Sequence, residues 1–218
     1  GAGPAGLSCA YHLARMGYGV TVFESFAKPG GMLRYGIPKY RLPRRVLDAE
    51  IQKILDLGVE LRTNFTIGKD ITLDELRSRY QAIFVGIGAH KGYKLGVEGE
   101  DAPNVLTGTE FLNRVNSGDH VEVGGKVVVI GGGDTAIDAA RVCKRLGAEV
   151  TILYRRTRKE MPAIEPEIAG AEEEGVNIEY LAAPVGILRD NGTARGLRCI
   201  RMELGEPDAS GRRRPVPK

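Results

Sequence analysis

One glycine-rich pattern occurs twice in this chain of 218 residues, at positions 130 residues apart. The segments GAGPAG and GGGDTA, with the residues that follow each, align without a gap. The aligned pairs are Gly1 with Gly131, Gly3 with Gly133, and Gly6 with Ala136. Each segment continues as an apolar helical pattern and then as a short apolar strand. Because a glycine-rich turn that opens such a helix is typical of a βαβ unit, the repeat predicts an α/β fold with two related units.

The two segments end in side chains of opposite charge. The second strand of the first segment ends at Glu24, whereas that of the second leads into Arg155 and Arg156. In dinucleotide-binding folds the glycines admit a pyrophosphate to the helix N-terminus, and the residue ending the second strand contacts the adenosine ribose. A carboxylate suits ribose hydroxyls, and guanidiniums suit an added 2′-phosphate. We therefore predict two different dinucleotides, with NADPH at the second segment; a solvated carboxylate and a basic surface loop are the alternatives.

A pair of glycines, Gly30 and Gly31, follows Glu24 after a short interval. Two glycines let a loop pass close to a pyrophosphate or a bulky ring, which favours FAD over NAD at the first site. The alternative is an ordinary loop turn.

Composition excludes several classes of protein. The formal net charge is +3, with 42% hydrophobic and 27% charged residues, which is typical of a globular protein and predicts neither a nucleic-acid nor a membrane partner. No apolar run reaches the length of a membrane span, and no signal peptide is visible, so we expect a cytoplasmic protein. The three cysteines form no CxxC pair, and the three histidines show no metal-ligand spacing. We predict no metal site.

The apolar periodicity also predicts the order of elements. The predicted strands are 20–24, 59–61, 82–85, 126–130, 149–154 and 176–181. The predicted helices follow Gly3, Pro43, Thr72 and Thr107 and cover 134–146 and about 164–174, with a capping box at Thr72-x-x-Glu75 and a cap at Thr107-x-x-Glu110. Residues 27–42 contain too many glycines and prolines for regular structure. Asp190-Asn191-Gly192 predicts a β-hairpin.

These elements predict a partial FAD-binding domain over residues 1–104 and a partial NADPH-binding domain over residues 105–218. A fingerprint turn should follow a strand, but the sequence begins at Gly1. It also stops soon after a strand, and we therefore expect it to be a segment truncated at both ends. The basic run Arg212 to Arg214 has no place in either fingerprint, and we assign it no role.

The motifs together resemble those of the glutamate synthase small-subunit family of FAD- and NADPH-binding oxidoreductases. They are GAGPAG, GGMLRYGIPKYRLP, VGIGAHKG, GGGDTAIDAAR and YRRTRKEMPA, and they span nearly the whole chain. The resemblance implies two Rossmann-like domains, in which an FAD domain is interrupted by an inserted NADPH domain. It also implies that iron–sulfur centres, on a further domain or on a large partner subunit, receive the electrons.

Site residues follow from the fingerprints and from this resemblance. The residues predicted to bind FAD are Gly1, Gly3, Pro4, Ala5, Gly6, Glu24, Gly30, Gly31, Met32, Arg41, Ile67 and Gly88. The residues predicted to bind NADPH are Gly131, Gly133, Asp134, Thr135, Ala136, Arg155 and Arg156. Gly88 lies in VGIGA, where related chains usually have an ATGA-like sequence.

The predicted activity is hydride transfer between NADPH and FAD, for which no catalytic side chain is named because the cofactors carry the chemistry. Two alternatives stay open. One is a non-catalytic subunit that binds nucleotide as a sensor or scaffold. The other is a relative of the pyridine-nucleotide disulfide reductases that lacks the redox disulfide.

Overall fold

The computed structural model describes residues 1–209 and 211–218 and divides the chain into two compact units. The first unit is Gly1–His90 and the second is Lys91–Lys218. This division falls earlier in the chain than the predicted domain boundary after residue 104. The assignment of one nucleotide to each domain stays a prediction.

The first unit places helices against a small parallel sheet. Its helices are α1 (Pro4–Arg15), α2 (Met32–Tyr35), α3 (Arg44–Leu55) and α4 (Leu73–Arg79), and its strands are β1 (Thr21–Phe23) and β2 (Glu60–Arg62). The two strands pair in parallel, with Val22 opposite Leu61. The core is formed by aliphatic side chains of α1, β1 and α3, among them Leu7, Leu47 and Ile51. Leu47 and Ile51 are four residues apart and therefore lie on one face of α3.

The predicted capping box of α4 is confirmed. The Thr72 side chain accepts a hydrogen bond from the backbone N–H of Glu75, and the Glu75 side chain accepts one from that of Thr72. These two bonds satisfy helix N-terminal donors that have no partner within the helix.

Two predictions for this unit are wrong. Residues 82–85 form no strand, and Phe84 and Val85 are exposed. A strand requires a hydrogen-bonded neighbour, and β1 and β2 pair only with each other among the described residues. Residues 27–42 do contain regular structure, because Met32–Tyr35 form the single helical turn α2 directly after Gly31. Gly31 has a φ of +52°, which lets the chain enter that turn from a loop.

The second unit contains a parallel and an antiparallel sheet. Its helices are α5 (Gly108–Ser117), α6 (Asp134–Arg145) and α7 (Glu165–Glu173), with a 3₁₀ turn at Arg158–Glu160. Its strands are β3 (Lys126–Ile130), β4 (Glu149–Tyr154), β5 (Asn177–Tyr180), β6 (Ala182–Asp190), β7 (Thr193–Pro207) and β8 (Arg213–Pro217). The parallel sheet has the order β3-β4-β5, and the antiparallel sheet has the order β6-β7-β8. The predicted strands at 126–130 and 149–154 are confirmed.

The predicted hairpin is also confirmed. Asp190 pairs with Thr193 across the turn, and Asn191 and Gly192 have φ angles of +50° and +79°. Both central residues of a type I′ turn need positive φ, which Asn and Gly tolerate best.

No helix of the described residues is long and apolar enough to cross a membrane.

Candidate dinucleotide sites

The first fingerprint turn is shaped by the absence of side chains. A Cβ on Gly6 would overlap the carbonyl oxygen of Gly1, and a Cβ on Gly1 would lie 2.6 Å from the carbonyl oxygen of Gly86. α1 begins at Pro4, with Gly3 as its N-cap and no side chain capping it. The backbone N–H groups of the first helical turn are therefore available to an external acceptor. The dipole of α1 favours an anion at the same place.

The paired glycines of the following loop pack directly on this turn. Gly30 donates a backbone hydrogen bond of 2.7 Å to the carbonyl of Ala2. A Cβ on Gly31 would lie only 2.7 Å from the Cα atom of Gly3. The approach of this loop to a pyrophosphate or a bulky ring stays a prediction; the structure shows these glycines against the fingerprint backbone. Together Gly1, Gly3, Gly6, Gly30 and Gly31 form what we call the first cradle.

Glu24 is buried, with 5% of its surface exposed. One carboxylate oxygen accepts a hydrogen bond of 2.7 Å from the backbone N–H of Ala2, inside the fingerprint turn. The other accepts one of 2.9 Å from the backbone N–H of Phe26. Since an ionised carboxylate has about four lone-pair positions, Glu24 keeps capacity for a ribose hydroxyl while it fixes the turn.

Four more residues predicted for the first site lie at different places in the unit. Met32 is partly buried at the start of α2, and Arg41 is partly buried in the turn after Pro38. Gly88 is exposed and has a φ of +70°. Ile67 is exposed and forms an isolated bridge with Ile71.

Sequence reasoning missed two arginines that support the cradle loop. Arg34 is buried and binds the carbonyl of Pro29 and the carboxylate of Asp48. Arg44 donates to three backbone carbonyls, those of Leu33, Ile37 and Leu42. The available signal was the density of arginines within a glycine- and proline-rich loop, where backbone carbonyls lack regular partners.

The second fingerprint turn is held in place by hydrogen bonds from the segment that precedes α7. Gly131 has a φ of +139°, and α6 begins at Asp134 with Gly133 as its N-cap. The Asp134 carboxylate accepts a hydrogen bond of 3.1 Å from the backbone N–H of Ile164. The carbonyl of Gly132 accepts another of 3.1 Å from the N–H of Ala163. Thr135 is exposed in the first turn of α6, and Ala136 is buried where the first cradle has Gly6.

The loop after β4 is fixed by residues that the sequence analysis did not single out. The Tyr154 ring packs on Gly132, where a Cβ would lie 2.5 Å from a ring carbon. The Tyr154 hydroxyl donates a hydrogen bond of 2.6 Å to the carbonyl of Glu160. Glu160 is buried, and its hydrogen bond with the Thr157 hydroxyl lowers the pKa of its carboxyl. The Thr157-x-x-Glu160 spacing is a capping box that the sequence contained.

The two arginines after β4 lie in different surroundings. Arg155 is exposed and lines an open cleft of about 590 Å³. Arg156 is 5% exposed, and its Nε donates a hydrogen bond of 2.7 Å to the carbonyl of Arg213. Its terminal nitrogen forms an ion pair of 2.8 Å with Asp208. The structure therefore puts Arg155 at a solvent-facing position and uses Arg156 to bind the β7–β8 connection; the predicted contact of both with a 2′-phosphate stays a prediction.

Helix α6 is tied to α7 by charged groups. Arg141 and Arg145 both bind the carboxylate of Glu174, and Arg141 also binds Glu167. The hydrogen bonds from Arg145 and Arg141 lower the pKa of Glu174 to about 2. Cys143 of the same helix is buried, and burial raises the pKa of its thiol to about 11. Such a thiol is inert at neutral pH, which argues against a redox role.

The second fingerprint turn, Gly131 to Ala136, forms what we call the second cradle. Two such cradles at helix N-termini of α/β units are typical of dinucleotide-binding proteins. Residues 1–207 match the family described as pyridine nucleotide-disulphide oxidoreductase, and the chain belongs to this family. The β subunit of an NADPH-Fe(3+) oxidoreductase from Geobacter sulfurreducens is 50% identical over all of this chain, which covers 33% of that protein. The small chain of a glutamate synthase [NADPH] from Escherichia coli is 40% identical over 98% of this chain, which covers 48% of that protein.

Among solved structures, FprA from Mycobacterium tuberculosis in complex with NADPH superimposes with a TM-score of 0.84 over all of this chain and 65% of that one. The sequences are 19% identical, so this likeness shows a shared fold. The predicted Rossmann-like α/β fold and the resemblance to glutamate synthase small subunits are confirmed. The chain spans between a third and a half of the two curated relatives named above.

Proposed function

We propose that the protein containing this chain is an NADPH-dependent flavoprotein oxidoreductase that transfers a hydride between NADPH and FAD. One observation carries the proposal: a single chain has two cradles whose second strands end in opposite charges, Glu24 in one and Arg155–Arg156 in the other. A protein with two copies of one nucleotide site has no physical reason for that inversion. A pair of dinucleotides of which only one carries a 2′-phosphate accounts for it.

The first cradle fits FAD. Its walls are the backbone of Gly1, Gly6 and Gly31, where any side chain would collide with neighbouring backbone atoms. This arrangement lets a pyrophosphate approach the N-terminus of α1. Glu24 would bind the adenosine ribose, Arg41 would bind the diphosphate, and Ile67 would bind the adenine. We assign this cradle to the domain proposed over residues 1–104.

The second cradle fits NADPH. Gly131 and Gly133 leave the N-terminus of α6 open, and the backbone N–H groups of Asp134 and Thr135 have no acceptor within the helix. Arg155 supplies a guanidinium where a 2′-phosphate would extend from the ribose. We assign this cradle to the domain proposed over residues 105–218.

The chain contributes binding, orientation and electrostatics to the reaction. When bound, the flavin supplies the exchange between a two-electron hydride and single-electron acceptors. The side chains of this chain need to move no proton for that exchange, and none is proposed as catalytic. Backbone N–H groups at the two helix N-termini would bind the pyrophosphates, and the side chains would distinguish the two adenosines by charge.

We further propose that iron–sulfur centres on another domain or on a large partner subunit receive the electrons. The Geobacter relative is named as a β subunit and the Escherichia relative as a small chain, which supports a role within a larger assembly. The three free cysteines favour a reducing compartment, and we propose a cytoplasmic location.

Anaerobic reduction of the full-length protein, loaded with FAD, tests this function. NADPH should bleach the flavin absorbance in a single fast phase, and NADH should do so only at far higher concentration. Binding of NADPH without bleaching would instead show a sensor or scaffold. Equal rates with NADH and NADPH would contradict the assignment of the second cradle.

A further inference from the structure

The cleft beside Arg155 contains two more arginines, from a part of the chain distant in sequence. It is lined by Arg155, Asp208, Ala209, Arg212, Arg214 and Pro215. Three guanidiniums therefore border one opening, and only one carboxylate does. One oxygen of that carboxylate, in Asp208, is bound by the buried Arg156. The side chains that line the cleft carry a net positive charge.

The backbone pattern explains why these two arginines share the cleft. Arg214 lies in β8 and Arg212 directly precedes that strand. Because successive residues of a strand point to opposite faces, Arg214 lies on the face opposite Arg213. The Arg213 side chain indeed turns away and donates to the carbonyls of Leu204 and Gly205. The turn before β8 is closed by a 2.7 Å hydrogen bond from the N–H of Asp208 to the carbonyl of Arg212.

Arg156 fastens this turn to the second fingerprint. It directly follows Arg155 at the end of β4, and it binds both Asp208 and the carbonyl of Arg213. It therefore holds the two ends of the turn against the strand end where an NADPH ribose would lie. Arg156 acts on the cleft through the turn that it positions.

We propose that Arg212 and Arg214, together with Arg155, bind the 2′-phosphate of NADPH and so determine the preference for NADPH over NADH. Arg156 is a positioning residue in this arrangement. The inference rests on the proposed function, because it assumes an adenosine at the second cradle. A phosphate monoester dianion is the chemistry that several guanidiniums at the end of this strand fit, since each forms charge-assisted hydrogen bonds.

The test measures binding of 2′,5′-ADP and of 5′-ADP, which lacks the 2′-phosphate, to the full-length protein by calorimetry. Arg212→Gln and Arg214→Gln should each raise the Kd of 2′,5′-ADP about tenfold, the loss expected for one charge-assisted hydrogen bond. The Kd of 5′-ADP should stay unchanged. Arg195→Gln is the matched control, because Arg195 is an exposed arginine of the same sheet that does not line the cleft.

Inorganic phosphate, titrated as a competitor, should weaken 2′,5′-ADP binding in the parent protein and much less in Arg214→Gln. The inference is overturned if only Arg155→Gln weakens 2′,5′-ADP; the proposed function would then stand. It is also overturned if Arg212→Gln and Arg214→Gln raise the Kd of 2′,5′-ADP and that of 5′-ADP by the same factor, because the two arginines would then support binding of the adenosine in general. If none of the variants, Arg155→Gln included, changes the preference for 2′,5′-ADP, the NADPH assignment fails as well.

Discussion

The two cradles share a backbone pattern but are stabilised by different means. In the first, glycines of three segments meet, and the buried Glu24 carboxylate accepts a hydrogen bond from the backbone N–H of Ala2 in the turn. In the second, the turn is held by the loop after β4, through Tyr154 and through the bond between Asp134 and Ile164. The first cradle therefore depends on the absence of side chains, and the second depends on particular side chains.

The difference extends to charge. The acidic residue of the first cradle lies inside it, because a carboxylate can accept backbone N–H groups and ribose hydroxyls together. A guanidinium only donates, so the buried Arg156 must find acceptors, which the β7–β8 turn supplies. Arg155, Arg212 and Arg214 line the cleft.

The largest expected effect is at the third fingerprint position. Gly6→Ala should lower the free energy of unfolding by about 3 kcal/mol or more, because its methyl group would overlap a backbone carbonyl. Ala136→Gly, the matched change in the second cradle, should cost only about 1 kcal/mol, the difference in helix propensity. Urea unfolding followed by circular dichroism measures both. Equal losses would show that the two turns have the same tolerance.

A smaller effect separates the two arginines after β4. Arg156→Met should lower the free energy of unfolding by about 2–3 kcal/mol, because it removes the ion pair with Asp208 and the hydrogen bond to the carbonyl of Arg213, both made by a buried guanidinium. Arg155→Met should change it by less than about 0.5 kcal/mol, as expected for an exposed residue. Thermal unfolding of the two variants provides the measurement. A more destabilised Arg155→Met would reverse the assigned roles.

Glu24→Gln tests the internal support of the first cradle. The amide group would face one of two backbone N–H donors, and we expect a loss of about 1–2 kcal/mol in unfolding free energy together with a lower FAD content of the purified protein. Glu60→Gln, at an exposed site of β2, is the control and should retain the FAD. Full FAD content in Glu24→Gln would contradict the role given to this carboxylate.

The smallest effect concerns the helix of the second cradle. The pKa of Glu174 is about 2 in the folded chain and 4.5 in its ordinary state, so its carboxylate stabilises the fold above pH 4.5. That contribution disappears as the pH falls towards 2. Glu174→Gln should cost about 1 kcal/mol at pH 7, a figure reduced for solvent screening, and almost nothing near pH 2. Unfolding curves at the two pH values measure it, with the exposed Glu173→Gln as control.

Much of the fold was predictable because it depends on local patterns. The strands at 126–130 and 149–154, the hairpin at Asp190–Gly192 and the capping box at Thr72 follow from periodicity and turn chemistry. The strand at 82–85 was wrong because apolar composition cannot supply a hydrogen-bonded neighbour. The turn α2 was missed because it begins at a glycine of positive φ, within a segment whose composition indicates a loop.

The sequence by itself determined that this protein has two related βαβ units and that their second strands end in opposite charges. Only the tertiary structure decided which arginine is buried and which arginines line the cleft. Arg156 is turned inward, while Arg212 and Arg214 come from more than 50 positions away to stand beside Arg155. The physical reason is that a buried guanidinium needs acceptors, and those acceptors belong to a turn that packing, and no local pattern, brings to the end of β4.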